Sequence, residues 1–368
     1  MVTPMHHRST AAALLLVLSC LTACNSPTSG SWQATPSGSL ADAQSIWEVC
    51  AGEGDVEAQY MLGLVYDEGE GRSADTRLAV DWYGKAAAQG FAPAQNNLGL
   101  LYYGGKGVEK SHTKAAQWFT LAAEQDFAPS QTNLAVMFLY GQGVEQDYTQ
   151  ALALLRSAAE ASDPSAERLL GSIFQKGIGV DKNPEVAMVW FQLAAKEGVA
   201  YAQFQLGRMY REGEVVPCDN DQALYWLELA AQQGIGEAQC LTGWMYFKGQ
   251  GTQENHLTAA HWLKLAADSG LAVAQAKLGL MYLNGQGVSQ DDQLGATLLK
   301  RSAEQGLPIA RYNLGLLYAK GQGVEKNRGT AMSWIEQAAH DGCQEAQAML
   351  AGMGAGDAHR FEDESSVQ

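Results

Sequence analysis

Residues 94–129 read AQNNLGLLYYGGKGVEKSHTKAAQWFTLAAEQDFAP, and this stretch decides the fold because its pattern recurs every 36 residues without a gap. Eight such rows start at residues 58, 94, 130, 166, 202, 238, 274 and 310. A row carries Gly or Ala five residues after its start and an aromatic residue three further on. Most rows add a GxG pair, an AxxW pair and a closing Ala-Ala. A fixed period of this length is typical of a repeat protein.

The first half of the row predicts a helix. Apolar residues with helical spacing lie at Ala94, Leu98, Leu101 and Tyr102. Pro93 suits the first turn, because the N–H that proline lacks has no intrahelical partner there. The small Gly99 allows a neighbouring helix to approach closely.

The second half of the row predicts another helix after a glycine-containing turn. Gly105 and Gly107 end the first helix, since glycine adopts the positive φ of a C-terminal cap without steric cost. The second helix is predicted over about residues 113–124, with Trp118 filling the gap opposite the closing Ala pair. By the same reasoning, we expect a Trp226→Ala substitution to open a cavity in the stack.

Neither helix buries its apolar stripe alone, so successive hairpins must stack. The sequence therefore predicts an all-α fold, a right-handed α-solenoid (superhelix) of eight helix-turn-helix repeats with a half repeat at each end. The solenoid is predicted over residues 41–353, and residues 354–368 are predicted to form a disordered acidic tail.

Composition narrows the function. Hydrophobic residues make up 46% of the 368, and 24 Lys and Arg face 40 Asp and Glu, a net charge of −16. This charge disfavours nucleic acid as a partner. The six cysteines show no metal-ligand spacing, so no metal and no other cofactor is expected. Four cysteines follow residue 40, and we predict that none of them forms a disulfide. They are Cys50, Cys218, Cys240 and Cys343.

The amino terminus has the pattern of an export signal. A short apolar run, too short to span a bilayer, ends in residues 21–24, Leu-Thr-Ala-Cys. These four residues resemble the bacterial lipobox, so residues 1–23 are predicted to be a lipoprotein signal peptide and Cys24 the lipid attachment site. Cleavage without acylation is the alternative. The same resemblance, with Asn25 next, implies the outer membrane facing the periplasm, and residues 24–40 are predicted to form a flexible tether.

The recurring LGxxY, GxGV, AxxW and AA elements resemble the Sel-1-like repeats, relatives of the tetratricopeptide repeat. The resemblance covers about residues 43–352. It implies a protein-interaction scaffold acting in signalling, envelope assembly or host interaction, without choosing among them. Some cysteine-rich members of this family act on penicillins, which leaves a β-lactamase-like or cell-wall hydrolase as the alternative function.

Motifs for catalysis are weak. Ser111 and Lys114 match the SxxK pattern of penicillin-recognising enzymes, but no SDN or KTG companion is present. The GxG pairs follow a helix rather than a strand, so helix capping is favoured over phosphate binding. The sequence therefore predicts a protein that is not an enzyme and has no catalytic residues.

The first helices supply the candidate contact surface, because helix-hairpin solenoids bind partners along their concave face. Solvent-facing positions are predicted two, six, nine and ten residues after each row start, for example at Cys240 and, in another row, at Ala276 and Leu283. The rows that start at 166, 202 and 238 place basic and aromatic residues there. The candidate partner-binding residues are Arg168, Lys176, Phe204, Arg208, Arg211, Trp244, Phe247 and Lys248.

Two interpretations of this surface stay open at this point. The basic residues are either ordinary exposed helix residues beside aromatic rings that pack on adjacent rows, or an anion-selective groove with aromatic anchors. On the second interpretation, a monomeric, lipid-anchored adaptor of the cell envelope binds a protein or peptide partner. The partner offers an acidic or carboxylate-terminal extended segment.

Overall fold

The computed structural model describes residues 40–69 and 74–352, and these residues contain eighteen α-helices and no strand. In chain order the helices are α1 Leu40–Gly52, α2 Val56–Glu68, α3 Thr76–Ala88, α4 Ala92–Gly104, α5 His112–Ala123, α6 Ala128–Tyr140, α7 Tyr148–Glu160, α8 Pro164–Lys176, α9 Pro184–Lys196, α10 Ala200–Glu212, α11 Asn220–Gln232, α12 Gly236–Lys248, α13 His256–Asp268, α14 Ala272–Asn284, α15 Asp292–Glu304, α16 Pro308–Lys320, α17 Arg328–His340 and α18 Gln344–Gly352. The predicted α-solenoid class is confirmed, with α1 and α18 as the half repeats. Cys24, the export signal and the predicted tail lie outside the described residues.

Helix caps set the hairpin boundaries. The first helix of the second repeat, α4, is capped at its C-terminal end by Gly105, whose φ of 70° is left-handed and whose N–H donates to the Leu101 carbonyl. The second helix, α5, starts one residue before its predicted position, after the N-cap Ser111, whose side chain accepts from the Lys114 N–H. Each second helix from α3 to α17 follows a residue of this capping type, namely Asp75, Ser111, Asp147, Asn183, Asp219, Asn255, Asp291 and Asn327.

The core position differs from the prediction by one residue. The recurring tryptophans, such as Trp226, are only half-buried, so they do not fill the gap opposite the Ala pair. That gap is filled by the next residue, which is fully buried in every repeat and is Tyr83, Phe119, Leu155, Phe191, Leu227, Leu263, Leu299 or Ile335. A Cβ added at Gly99 would lie 2.6 Å from the Phe119 ring. The glycine of the first helix is therefore required by this large neighbour in the second helix.

The two glycines of the GxG pair have different roles, which corrects the expectation that both cap the helix. Gly249 caps α12 in a left-handed conformation. Gly251 also has a positive φ, but a Cβ there would lie 2.2 Å from the Asn220 carbonyl oxygen at the start of α11. The second glycine therefore lets the turn of one repeat pack against the second helix of the preceding repeat.

A recurring buried glutamine also links the helices, and we did not predict its role. The Gln239 side chain donates to the Ala231 carbonyl at 3.1 Å, which satisfies an end carbonyl of α11. The same bond forms in most repeats from Gln59, Gln95, Gln131, Gln203 and Gln275. Arg311 takes the position in the last repeat, where its Nε donates to the Ala303 carbonyl at 3.1 Å.

The packing contacts divide the chain into two units. The N-terminal unit extends to Trp190 and the C-terminal unit starts at Phe191, a division that falls within α9. In the C-terminal unit, one cluster of buried residues joins α11 to α12 around Leu227, Ala230 and Met245. None of the described helices is long and apolar enough to cross a membrane.

Candidate functional site

The eight candidate contact residues all lie on first helices. Arg168 and Lys176 are on α8, in the N-terminal unit; Arg168 is half-buried and Lys176 is exposed. The remaining six are on α10 and α12, in the C-terminal unit, and they are Phe204, Arg208, Arg211, Trp244, Phe247 and Lys248.

An aromatic stack forms the base of this site. Trp244 and Phe247 are one helical turn apart on α12, and their rings stack at a centroid distance of 5.4 Å with 9° between the planes. The other neighbour of Phe247 is His256, whose ring stacks on it at 4.7 Å. His256 is held in turn by the Glu254 carboxylate, 2.6 Å from its Nε2. The rings of Trp244 and Phe247 are both half-buried, so the stack is a fixed apolar surface that keeps a part open to solvent.

Two ammonium groups lie over this stack. The Nζ of Lys248 is 5.0 Å from the centroid of the Trp244 ring and 5.5 Å from that of Phe247. Lys277, on α14 of the following repeat, places its Nζ 3.2 Å from the Trp244 centroid. A cation over a tryptophan face is attracted by the ring quadrupole. We call Trp244, Phe247, Lys248 and Lys277 together the cationic aromatic surface.

Lys277 was not among the contact residues that we predicted from the sequence. It stands three residues after its row start, a position that we did not count as solvent-facing. The sequence nevertheless held a signal, because the other rows carry no basic residue there. They have Met61, Asn97, Asn133, Leu169, Gln205, Leu241 and Asn313.

The surroundings of Lys277 disfavour its charge. Burial lowers the pKa of its ammonium group, and the positive charge of Lys248 lowers that pKa further, while a thiolate at Cys240 would raise it. Within the part of the chain that the structure describes, neither Lys277 nor Lys248 forms an ion pair with a carboxylate. A half-buried cation of this kind is stabilised by any anion that reaches it.

Ten of the positions expected to face solvent are instead buried, and they are Asn96, Thr132, Val136, Leu139, Cys240, Ala276, Leu283, Tyr312, Leu316 and Ala319. Cys240 is 5% exposed, and its side chain packs among residues of α13 and α14 such as Ala267 and Leu278. Burial accordingly raises the pKa of the Cys240 thiol. Ala276 and Leu283 are buried against α15 and α16. The expectation was wrong at these positions because the first helix packs on the next repeat along this edge.

The two arginines of α10 already have an acidic neighbour. Arg208 donates to both carboxylate oxygens of Glu212, at 3.1 and 3.3 Å, and Arg211 lies 3.7 Å from the same carboxylate. The Arg208 guanidinium also lies 6.0 Å from the Phe204 ring centroid. Because one carboxylate serves both arginines, they offer a partner less uncompensated charge than the lysines do.

The other motifs from the sequence have structural roles. Ser111 of the SxxK pattern caps α5, and the Lys114 ammonium lies 5.2 Å from the ring of Tyr102. None of the four cysteines within residues 40–69 and 74–352 forms a disulfide. The described residues contain no group of His, Cys, Asp and Glu that could hold a metal ion.

Comparisons with known proteins agree with the repeat architecture. The Sel1 repeat family matches the chain eight times in succession, from residue 56 to residue 343. The chain is 32% identical to the solved structure of c5321, described as a protective antigen of uropathogenic Escherichia coli with an SLR fold. That match covers 84% of this chain and 67% of the other, with a TM-score of 0.77.

A second solved structure, a Sel1 repeat protein from Oxalobacter formigenes, is 30% identical. The match covers 95% of this chain and 96% of the other, with a TM-score of 0.57. No curated protein is significantly similar to the chain.

Proposed function

Because the chain belongs to the Sel1 repeat family, whose members are generally protein-interaction scaffolds, we propose that it is a lipid-anchored adaptor of the bacterial cell envelope. It binds an acidic, extended segment of a partner protein on the first helices of its C-terminal unit. The observation that carries this proposal is the cationic aromatic surface, in which two ammonium groups without a carboxylate partner lie over a fixed aromatic stack.

The two components of the surface bind different parts of the segment. The carboxylates of the segment approach Lys277 and Lys248, while its apolar side chains cover the exposed parts of Trp244 and Phe247. Partial burial of Lys277 strengthens its charge interaction, because the local dielectric is lower than that of water. Arg208 and Arg211 contribute mainly to the long-range attraction of an acidic partner. Arg168 and Lys176 remain predicted contact residues of the N-terminal unit.

A direct binding measurement tests the surface. A fluorescent peptide of alternating Phe and Glu is titrated into the protein, and its counterpart with Gln in place of Glu serves as the charge control. We expect the acidic peptide alone to bind. Lys277→Gln and Trp244→Ala should each weaken binding about tenfold, which is about 1.4 kcal/mol, whereas Trp244→Phe should retain most of the affinity.

The matched control is Lys300→Gln. Lys300 is an exposed lysine on the second helix α15, where its ammonium group lies 3.9 Å from the Glu304 carboxylate. If Lys300→Gln weakens binding as much as Lys277→Gln, the peptide responds only to net charge and the proposed surface is wrong. Arg208→Gln should have a smaller effect than Lys277→Gln, because Glu212 already compensates the arginine.

The membrane anchor is a separate part of the proposal. The support for it is the Leu-Thr-Ala-Cys sequence at residues 21–24 and the uncharged stretch that follows. A metabolic label of fatty acid should enter the wild-type protein and not Cys24→Ser. Fractionation should then place the labelled protein in the outer membrane, with the repeats accessible from the periplasm. If the protein takes up no label, or is cleaved at another residue, the proposed lipid anchor is wrong. The proposed binding surface does not depend on this result.

The alternative of a β-lactam or cell-wall hydrolase is tested with nitrocefin. The fold is typically a non-enzymatic repeat scaffold, and Ser111 serves as a helix cap. Purified protein should not turn over the substrate. Turnover that is lost both in Ser111→Ala and in Ser111→Asp, which preserves the cap but lacks the hydroxyl nucleophile, would favour the hydrolase.

A further inference from the structure

The chain itself contains a segment that could supply the carboxylates that the lysines of the cationic aromatic surface lack. Residues 353–368 read MGAGDAHRFEDESSVQ, in which Phe361, Glu362, Asp363 and Glu364 are consecutive. One aromatic ring is thus followed directly by three carboxylates. Residues 1–39 contain no Asp or Glu, and residues 70–73 contain no aromatic residue. Of the segments outside the described residues, this one alone joins an aromatic residue to a run of acids.

The segment is long enough to reach the surface. It continues from Gly352, the last residue of α18, and Lys277 lies on α14, two repeats earlier in the same unit. Packed neighbouring helices are about 8–10 Å apart, so two repeat steps amount to about 20 Å. The nine residues 353–361 span up to about 30 Å when extended, at about 3.3–3.6 Å per residue. Phe361 and the acids after it therefore come within range of Lys277.

We propose that residues 361–364 bind the cationic aromatic surface of the same chain and compete there with the acidic segment of a partner. The three carboxylates compensate the ammonium groups of Lys277 and Lys248, and the Phe361 ring packs beside Trp244. This inference rests on the proposed function, because it assigns regulation to the same surface. An intramolecular ligand acts at an effective concentration of the order of millimolar, so even a weak contact reduces the fraction of open sites.

Indole resonances report docking directly. The full chain is labelled with ¹⁵N-tryptophan, and the Trp244 signal is assigned with Trp244→Phe. We expect that signal to shift when the tail is neutralised by Glu362→Gln, Asp363→Asn and Glu364→Gln together, while the other indole signals stay in place. The matched control neutralises three exposed acids of the N-terminal unit, Glu109, Glu124 and Glu160, and should leave the Trp244 signal unchanged.

Cross-linking distinguishes docking within one chain from docking between two copies. A carbodiimide should join Lys277 or Lys248 to one of the acids at 362–364, with a yield that does not depend on protein concentration. Mixed ¹⁴N and ¹⁵N chains should give these cross-links within one isotope only. Cross-links between isotopes would overturn the intramolecular contact in favour of a second copy, and an unmoved Trp244 signal without cross-links would overturn docking altogether.

A competition experiment tests whether the tail regulates binding, separately from whether the surface binds acidic segments at all. A fluorescent peptide of residues 353–368 should bind the tail-neutralised chain at least about tenfold more tightly than the wild-type chain. Equal affinity for both chains would reject tail regulation and keep the surface. If the tail-neutralised chain binds neither this peptide nor the alternating Phe-Glu peptide, the surface fails as well. Lys277→Gln, which leaves the tail intact, should abolish the difference between wild-type and neutralised tails.

Discussion

At the scale of single residues, the fold depends on a large buried side chain in each second helix that faces a glycine or alanine of the first helix. Leu227 is fully buried, and a Cβ at Gly207 would lie 2.6 Å from its Cγ. Trp226, one residue earlier, lies at the edge of the core and is half-buried. The tryptophan that recurs in six of the eight rows is therefore not the most buried residue of its helix.

This difference predicts the order of two neighbouring substitutions. Leu227→Ala should lower the free energy of unfolding by about 3 kcal/mol, because it leaves a closed cavity. Trp226→Ala should cost less than about 2 kcal/mol, because the remaining space is open to water. Urea unfolding followed by circular dichroism measures both values. A larger loss for Trp226→Ala would return the tryptophan to the core position that its regularity first indicated.

Lys277 links the site to pH. Because its pKa is lowered in the folded protein, the unfolded chain binds the proton more tightly. The free energy of unfolding should therefore rise with pH between the lowered pKa and the ordinary lysine value. Lys277→Met should remove this rise, which paired thermal melts of the two proteins at several pH values would detect.

Binding should respond to pH in the opposite sense. Acidic-peptide affinity should fall as pH rises through the lowered pKa of Lys277, since the neutral amine no longer attracts a carboxylate. At neutral pH, Lys277→Met should keep the unfolding free energy within about 1 kcal/mol of wild type, because the lost cation–π contact and the removed burial cost offset each other. A large loss of stability would indicate a structural rather than a binding role.

At the scale of the elements, the turn between the two helices joins neighbouring repeats. Its first glycine ends a helix, and its second glycine lies against the backbone of the preceding repeat. The buried glutamine adds a hydrogen bond from the start of one first helix to the end of the second helix before it. Each hairpin is therefore fixed to its predecessor at two places.

The two glycines of one turn should tolerate substitution differently. Gly249→Asn should cost less than about 1 kcal/mol, because asparagine accepts the left-handed conformation. Gly251→Asn should cost more than about 2 kcal/mol, since its Cβ would overlap the Asn220 carbonyl and push the repeats apart. Thermal melts give both values, and equal losses would mean that Gly251 is only a second cap.

At the scale of the whole molecule, helices contact mainly their neighbours in sequence, as expected of tandem repeats. Stability is then largely a sum of local terms, and a core defect should remain local. The C-terminal unit carries the cationic aromatic surface, so we expect the proposed binding to depend on the stability of this unit.

Hydrogen exchange tests this locality. Phe119→Ala should raise amide exchange in the helices around α5 and leave the exchange of α12 and α14 close to wild type. Leu263→Ala should do the reverse. A uniform rise across both units after either substitution would show that the array unfolds as one cooperative body.

The sequence by itself determined the architecture, because the 36-residue period, the capping residues and the apolar spacing are local signals repeated eight times. It also singled out Trp244 and Phe247, since no other row carries Trp or Phe at these positions, and Lys248 as one of five basic residues in three successive rows. The tertiary structure alone decided which residue of the Trp-Phe or Trp-Leu pair is buried, since the helix rotation that sets this depends on the neighbouring repeat. It likewise placed Lys277 over Trp244 and Glu212 beside Arg208. The contact between Lys277 and Trp244 joins side chains 33 positions apart on different helices, and a pattern within one row carries no information about it.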